Sequence, residues 1–444
     1  MANAQPSEAG VQESVLQWLN SLGWNTYDDA KRGATVLDER YERQRSEVIY
    51  WDLLAEAVVD INDELTEDKV GRFLNSLRRD LDHDNLLDGN EAFHEVLTTG
   101  KKHTVDQKHN GTKTIYADLI DFQNPENNRL HAIDEFAVSR RGSIRPDVTL
   151  LVNGIPIVQM ELKSVAHDND FYDAINDLQE YEEKVPRAFI PTLFNVAADT
   201  QELRYGAVGA THEFYQGWTT APEQYQSDND MKQAVQALLN PTTLLDLLKH
   251  FVFYEEQPDQ DAKIIPRHMQ YYAVKRILQR VDRGEHRKGL IWHTQGSGKS
   301  CTMLFTAKNL LDRDILDAPQ LFIVVDTDKL NSQMRDQLAN LSFERWTEAK
   351  SIEGLEETIA AGRSELVVTT VQKFQDVDPG VQSSDEVVVM SDEAHRFMEA
   401  DLGSRLDAAL PDCYHFGFTG TPVREGEREK DKNTFREFSP EGED

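Results

Sequence analysis

The chain has 444 residues, 79 of them acidic and 47 basic, for a formal net charge of −32. That length accommodates two or three domains with their own cores, while two cysteines, Cys301 and Cys413, are too few for a disulfide framework. No apolar run approaches the ~20 residues of a membrane span, and the first residues lack the basic and apolar regions of a secretory signal, so a soluble protein of a reducing cytoplasm is expected. The acidic excess argues against nucleic acid, which favours a basic footprint. It ceases to do so in a halophilic source, where salt screens charge over short distances. That source is the expectation here, and only local patches then inform about partners.

In chain order, the spacing of Val15, Leu16, Trp18, Leu19 and Leu22 predicts an amphipathic helix over 13–24 that stops at Gly23. Two further helices are expected over 50–61 and 68–81. Lys101, Lys102, His103, Lys108, His109 and Lys113 make a basic cluster that suits either phosphate contact or a solvated loop. Strands are expected over 114–122 and 135–139. Then comes the stretch 145–164, in which two apolar runs, 148–152 and 155–160, flank Asn153-Gly154. Asn-Gly between β-formers signals a type I′ hairpin, because that turn needs positive φ at both central residues.

The hairpin carries charge at its open end. Asp147 starts the first strand, and Glu161 and Lys163 finish the second on one face, two residues apart. Two carboxylates and an ammonium there suit a Mg²⁺ site; the alternative is an ordinary surface hairpin with solvated ends. A strict two-residue turn pairs Asp147 with Met160 and sends Asp147 and Glu161 to opposite faces. Both reach one metal only if Asp147 lies outside the ladder or a bulge shifts the register, and Pro156, which lacks an N–H, marks such an irregularity. The stretch Pro146-Asp147…Glu161-Leu162-Lys163 resembles the nuclease core written PD…(D/E)xK. That resemblance implies a mixed sheet with flanking helices and metal-dependent DNA cleavage by Asp147, Glu161 and Lys163. It also makes Glu13 a candidate to join the metal, against a role as a charge near a helix N-terminus. The helix over 171–184 departs from the family's Q-x-x-x-Y pattern: Asp177 stands where glutamine is usual before Tyr181, and Gln179 lies half a turn away. Strands over 190–197 and 204–209, a polar stretch over 222–230, a helix over 241–253 and an acidic linker over 255–261 follow.

The second half opens with Gly289-Leu-Ile-Trp-His-Thr-Gln-Gly-Ser-Gly-Lys-Ser300, a strand, a glycine loop and a helix. In a P-loop the backbone N–H groups cradle phosphates, here those of Gly296, Ser297 and Gly298, with Lys299 on the β- and γ-phosphates and Ser300 on Mg²⁺. His293 stands where the strict motif has its first glycine. Buried strands are read over 321–326, 365–368 and 387–390, the last ending in Asp392-Glu393-Ala394-His395. That is a Walker B arrangement, with Asp392 toward Mg²⁺ and Glu393 toward the attacking water. The run 416–422 ends in Thr-Gly-Thr, and Gln270 is placed to read an adenine edge. These features resemble superfamily 2 helicase-like ATPases, implying one RecA-like parallel-sheet domain that takes ATP.

Together the halves resemble the restriction (R, motor) subunit of type I restriction-modification enzymes, on segments that include 119–128, 145–164, 267–272, 291–300, 325–333, 369–374, 392–396 and 418–422. The resemblance implies ATP-driven translocation of double-stranded DNA joined to cleavage, with methylation (M) and specificity (S) subunits as partners and no membrane. The domains expected are an α/β nuclease-like domain over 1–240, a connecting helix and linker over 241–262, a first RecA-like domain over 263–424 and a charged tail over 425–444. The sequence stops soon after Thr-Gly-Thr, ahead of the second RecA-like domain such motors need, so nucleotide binding with little hydrolysis is expected. The other readings are a stand-alone ATP-dependent nuclease or repair helicase, and an inactive remnant that binds DNA or a partner.

Overall fold

The computed structural model describes residues 7–27, 32–107, 111–164, 171–219, 230–258, 261–284, 286–382, 384–394 and 402–421. Lys108, His109, the stretch 222–229, His395, Arg396 and the tail over 425–444 lie outside them. The chain divides into two units, 1–254 with 258–265, and 255–257 with 266–444. Among the described residues no helix is long and apolar enough to cross a membrane.

The first unit begins with α1 (Glu8–Ser21), α2 (Gly33–Tyr41), α3 (Trp51–Ile61), α4 (Glu67–Leu77) and α5 (Leu86–Thr99). Helix α1 starts five residues before its apolar stripe predicts, because the Ser7 hydroxyl accepts from the Gly10 N–H at 3.3 Å and caps it there. Strands β1 (Lys101–Gln107) and β2 (Gly111–Ala117) form a separate hairpin. It holds Lys101, paired with Asp80, and Lys113, paired with Glu64, while the His103 ring packs edge-on against Phe73. Two of the six residues of the expected basic cluster, Lys101 and Lys113, are thus held in ion pairs.

Strands β3 (Leu130–Asp134), the short pair β4 (Val138–Ser139) and β5 (Ser143–Ile144), then β6 (Val148–Val152), β7 (Ile155–Leu162), β8 (Phe194–Ala198), β9 (Leu203–Ala207) and β10 (Gln216–Gly217) follow. Six of these make a mixed sheet in the order β10-β9-β8-β7-β6-β3, in which only β7 and β8 run parallel. A parallel neighbour requires a crossover, and α6 (Phe171–Lys184) supplies it. Every residue of β6 and β7 is buried.

The turn at Asn153 (φ 53°) and Gly154 (φ 83°) has the positive φ pair of type I′. Val152 faces Ile155 and Leu151 faces Pro156, but Leu150 faces Val158. Ile157 is therefore the extra residue of a bulge, immediately after Pro156. Val148 pairs with Met160, so Asp147, one residue ahead of the ladder, stands opposite Glu161. Both routes out of the register conflict are present at once.

Helices α7 (Asp230–Leu238) and α8 (Pro241–His250) follow in the first unit. The segment expected to connect the domains is part of this core: Leu244, Leu245, Leu247 and Leu248 are buried, and the Leu248 carbonyl bonds His94 Nε2 at 2.8 Å. Strands β11 (Phe253–Glu255) and β12 (Ala262–Ile264) pair with each other.

The second unit contains α9 (His268–Arg283), β13 (Lys288–Trp292), α10 (Lys299–Asp312), β14 (Gln320–Val325), α11 (Asp328–Asn340), β15 (Trp346–Glu348), α12 (Ile352–Ala361), β16 (Leu366–Thr370), β17 (Val387–Asp392), α13 (Leu402–Ala409) and β18 (Tyr414–Thr419). Its six described strands run parallel in the order β13-β18-β17-β14-β16-β15. Strands β14, β16, β17 and β18 are buried throughout, as continuous apolar runs in a parallel sheet are. Parallel strands bring their carboxyl ends to one edge; here those ends carry the glycine loop, Asp392 and Thr419.

Candidate functional site

The bulged hairpin concentrates charge around one buried lysine. Lys163 Nζ lies 2.9 Å from Glu161 Oε1, 2.5 Å from Asp177 Oδ2 on α6 and 3.8 Å from Glu8 Oε1 on α1. Asp147 Oδ2 accepts from the Leu162 N–H at 2.7 Å, and the Asp147 carbonyl accepts from Gln12 Nε2 at 2.7 Å. Two helices thus clamp the mouth of the hairpin. Glu161 is 5% exposed, and its Oε2 is buried with no hydrogen-bond partner.

Burial pushes the Glu161 carboxyl up to about 8, the Asp147 charge adds to the push, and Lys163 opposes it. Burial likewise raises Asp147 to about 6, against the Leu162 hydrogen bond and with help from Glu8 and Asp177. Burial works against the Lys163 charge, yet the hydrogen bonds and charges of Asp177 and Glu161 outweigh it, and the ammonium titrates above the ordinary lysine range. The Tyr181 phenol is raised by burial, then by Glu161 and Asp177.

Sequence reasoning pointed to Glu13, but Glu13 accepts from its own neighbour Gln17 at 3.4 Å, and Glu8 is the α1 carboxylate that faces Lys163. Asp177 takes the position beside the lysine, while Gln179 donates to the Ala210 carbonyl at 3.0 Å. Glu8 and Gln12 carried a sequence signal, one helical turn apart on the face of α1, but they precede or interrupt the apolar stripe that defined the helix. Among the described residues no group of three or more His, Cys, Asp and Glu side chains is arranged to hold a metal ion. Asp147 and Glu161 stand close enough for the Asp147 charge to act on Glu161. Mg²⁺ binds through one or two carboxylates, keeping its other positions for water and phosphate oxygens, and the partnerless Glu161 oxygen fits such an ion.

In the second unit, Gly296 and Gly298 both have φ 80° and Gly298 caps α10. This left-handed backbone opens the loop where Lys299 begins the helix. Lys299 Nζ lies 3.5 Å from Glu393 Oε1. The Glu393 N–H donates to Asp392 Oδ1 at 3.0 Å, and Glu393 itself has φ 52°, an uncommon conformation for a non-glycine residue. Burial, then the Glu393 charge, raises the Asp392 carboxyl. Ser297 Oγ donates to the Thr294 carbonyl at 2.6 Å, and Ser300 sits half-buried beside Lys299 on the first turn of α10. Burial, followed by the Lys299 charge, lowers His293. The His293 N–H donates to the Thr419 carbonyl at 3.1 Å, tying the glycine loop to the Thr-Gly-Thr segment.

Gln270 departs from expectation. Its Oε1 accepts from the Arg267 N–H at 2.8 Å, and its Nε2 donates to the carbonyls of Ser297 at 3.2 Å and Gly298 at 3.0 Å. Both ends of the amide are committed to backbone, so in this structure Gln270 braces the glycine loop instead of presenting a free edge to an adenine.

A region with a charged, bulged hairpin thus precedes a parallel-sheet unit with a glycine loop and an Asp-Glu strand end. Residues 5–214 match the family model for the type I restriction enzyme R protein N terminus, and residues 269–441 match that for the SWI2/SNF2 ATPase. The first region is thus similar to the N-terminal part of type I restriction enzyme R proteins, and the second to a SWI2/SNF2 ATPase domain. The chain is 29% identical over 454 residues to the type I restriction enzyme HindI endonuclease subunit of Haemophilus influenzae, covering 94% of this chain and 43% of that one. It is 29% identical over 465 residues to the putative type I restriction enzyme MjaIXP endonuclease subunit of Methanocaldococcus jannaschii, covering 96% and 43%. The chain spans less than half the length of these relatives. Among solved structures, the UvsW helicase from bacteriophage T4 aligns with a TM-score of 0.30 and 19% identity, over 39% of this chain and 57% of that one. The halophilic source expected from the charge has no support in these comparisons.

Proposed function

We propose that this chain is the cutting and ATP-binding region of a type I restriction subunit, acting in the cytoplasm on double-stranded DNA alongside methylation and specificity subunits. The observation that carries the reading is the Glu161 carboxylate, buried opposite Asp147 with one oxygen unpartnered and a lysine held at the other. Asp147 and Glu161 would hold Mg²⁺, which when bound supplies charge neutralisation at a phosphate and a more acidic bound water. Lys163 keeps its proton at neutral pH, so its part is to offset negative charge on the phosphate, not to remove a proton from water. Asp177 fixes the Lys163 ammonium, and Gln12 and Leu162 fix Asp147. In the second unit Lys299 and the N–H groups of Gly296, Ser297 and Gly298 would take the phosphates of ATP. Ser300 and Asp392 are its candidate Mg²⁺ ligands, and Glu393 the group that orients a water.

Calorimetric titration of Mg²⁺ into the nucleotide-free chain tests the metal assignment. The expected result is binding that Asp147→Asn and Glu161→Gln each weaken at least tenfold, with Asp392→Asn leaving the first-unit isotherm intact. Binding unaffected by either first-unit change removes the nuclease reading. Co-purification with methylation and specificity subunits tests the type I assignment, and their absence from the complex favours a stand-alone nuclease.

A further inference from the structure

Away from Lys163, the first unit has a cavity of about 210 Å³ whose lining includes Trp51, Leu81, Glu47 and the arginines Arg78, Arg140 and Arg187. These arginines come from three separate stretches of chain. Arg78 follows α4, with its guanidinium 4.2 Å from the Trp51 ring centroid and 2.8 Å from Glu47 Oε1. Arg140 lies in the β4–β5 turn, and Arg187 lies in the single helical turn just after α6. Arg187 pairs with Asp82, which also stands 3.9 Å from Arg140. Burial, then the Arg140 charge, holds the Arg187 guanidinium below its ordinary value.

Three guanidinium groups therefore face two carboxylates, Glu47 and Asp82, in a chain whose formal net charge is −32. Like charges gather in a concave site at an electrostatic cost, and an anion is what relieves it. The Asp82 side chain is 66% exposed, so it bridges two arginines from the solvent side, where an incoming oxyanion can displace it. Guanidinium groups present planar forks of N–H donors that match phosphate oxygens. Helix α6 links the cavity to the candidate cutting site: it carries Asp177 and ends beside Arg187. From Asp177 to Lys184, where α6 ends, the helix rises about 10 Å, about three base pairs at the 3.4 Å spacing of one strand.

We infer that the Arg78–Arg140–Arg187 cavity is a phosphate-binding site that takes the backbone of the DNA held for cutting, with Asp82 as its resident, displaceable carboxylate. This rests on the nuclease reading of the first unit. The test is anisotropy of a labelled random-sequence duplex with the full chain in EDTA, over a range of salt. Arg140, half-exposed, is replaced by Gln, and Asp82 by Asn. Arg140→Gln is expected to weaken binding roughly three- to tenfold and to reduce the log–log salt slope by about one. Asp82→Asn is expected to tighten binding by a similar factor, which loss of a merely structural ion pair does not produce. Wild-type affinity and slope in both variants overturn the site while leaving the nuclease reading standing. No duplex binding by the wild type removes both. Inorganic phosphate that binds in an Arg140-dependent way, without any Arg140 effect on the duplex, assigns the cavity to a free anion and overturns the DNA assignment.

Discussion

Glu161 sets the chemistry of the hairpin because one of its oxygens meets Lys163 and the other is buried without a hydrogen-bond partner. The fold favours its protonated form and that of Asp147, raising them from 4.5 to about 8 and from 3.8 to about 6. A folded-state pKa above the unfolded one means that the folded chain holds the extra protons. The associated stability is fully present below about pH 4 and is lost as pH rises through about 8. Melting temperatures of the metal-free chain between pH 5 and 9 are therefore expected to fall with pH, and Glu161→Gln is expected to flatten the fall above about pH 6. Parallel profiles for the two proteins contradict the assignment. At Gln270 the committed amide predicts a different result: Gln270→Ala loosens the glycine loop and lowers nucleotide affinity several-fold, measured with a fluorescent ATP analogue. Unchanged affinity means that the loop holds its shape without the brace. Glu161 and Lys163 were legible as one strand face from the period of two, whereas the Asn-Gly turn alone sets Asp147 opposite Met160, and the bulge that brings it opposite Glu161 depends on the pairing of two strands. Glu8 and Asp177 were not legible, because their role depends on how two helices pack across the hairpin.

At the scale of the element, the bulged hairpin turns a register conflict into a site. The turn was legible from Asn153-Gly154 and the irregularity from Pro156, but which residue is extra, Ile157, depends on the pairing of β6 with β7. Strand β3 was missed because it includes the buried His131 and ends in a half-buried Asp134, which break the apolar run. The turn itself is tightly determined. Gly154 has φ 83°, and a Cβ there would meet the Tyr50 carbonyl oxygen at 2.8 Å. Asn153 accepts from the Arg129 N–H at 2.7 Å and donates to the Leu119 carbonyl at 2.8 Å. Gly154→Ala is expected to destabilise the first unit by roughly 1–3 kcal/mol, the usual cost of a side chain in strained backbone, read as a lower denaturant midpoint. An unshifted midpoint shows that the turn tolerates a side chain and does not pin the register.

For the molecule as a whole, a strong negative charge and a DNA-directed reading coexist because charge is arranged locally. In the basic cluster that stood out in the sequence, Asp80 and Glu64 pair with Lys101 and Lys113, whereas the arginines of the cavity are scattered along the chain and converge only on folding. The ATPase unit was the more legible half, since its glycine loop, Asp392 and Thr419 all stand at strand ends and a parallel sheet collects such ends on one edge. Its Lys299 is expected to be required for nucleotide binding, with Lys299→Ala lowering affinity at least tenfold. The central claim remains the cutting site. Its most direct test is conversion of supercoiled plasmid by the purified chain in Mg²⁺, with Glu161→Ala and Lys163→Ala prepared in parallel. The account predicts nicking or linearisation by the wild type, abolished by EDTA and by either substitution; equal cleavage by all three proteins contradicts it.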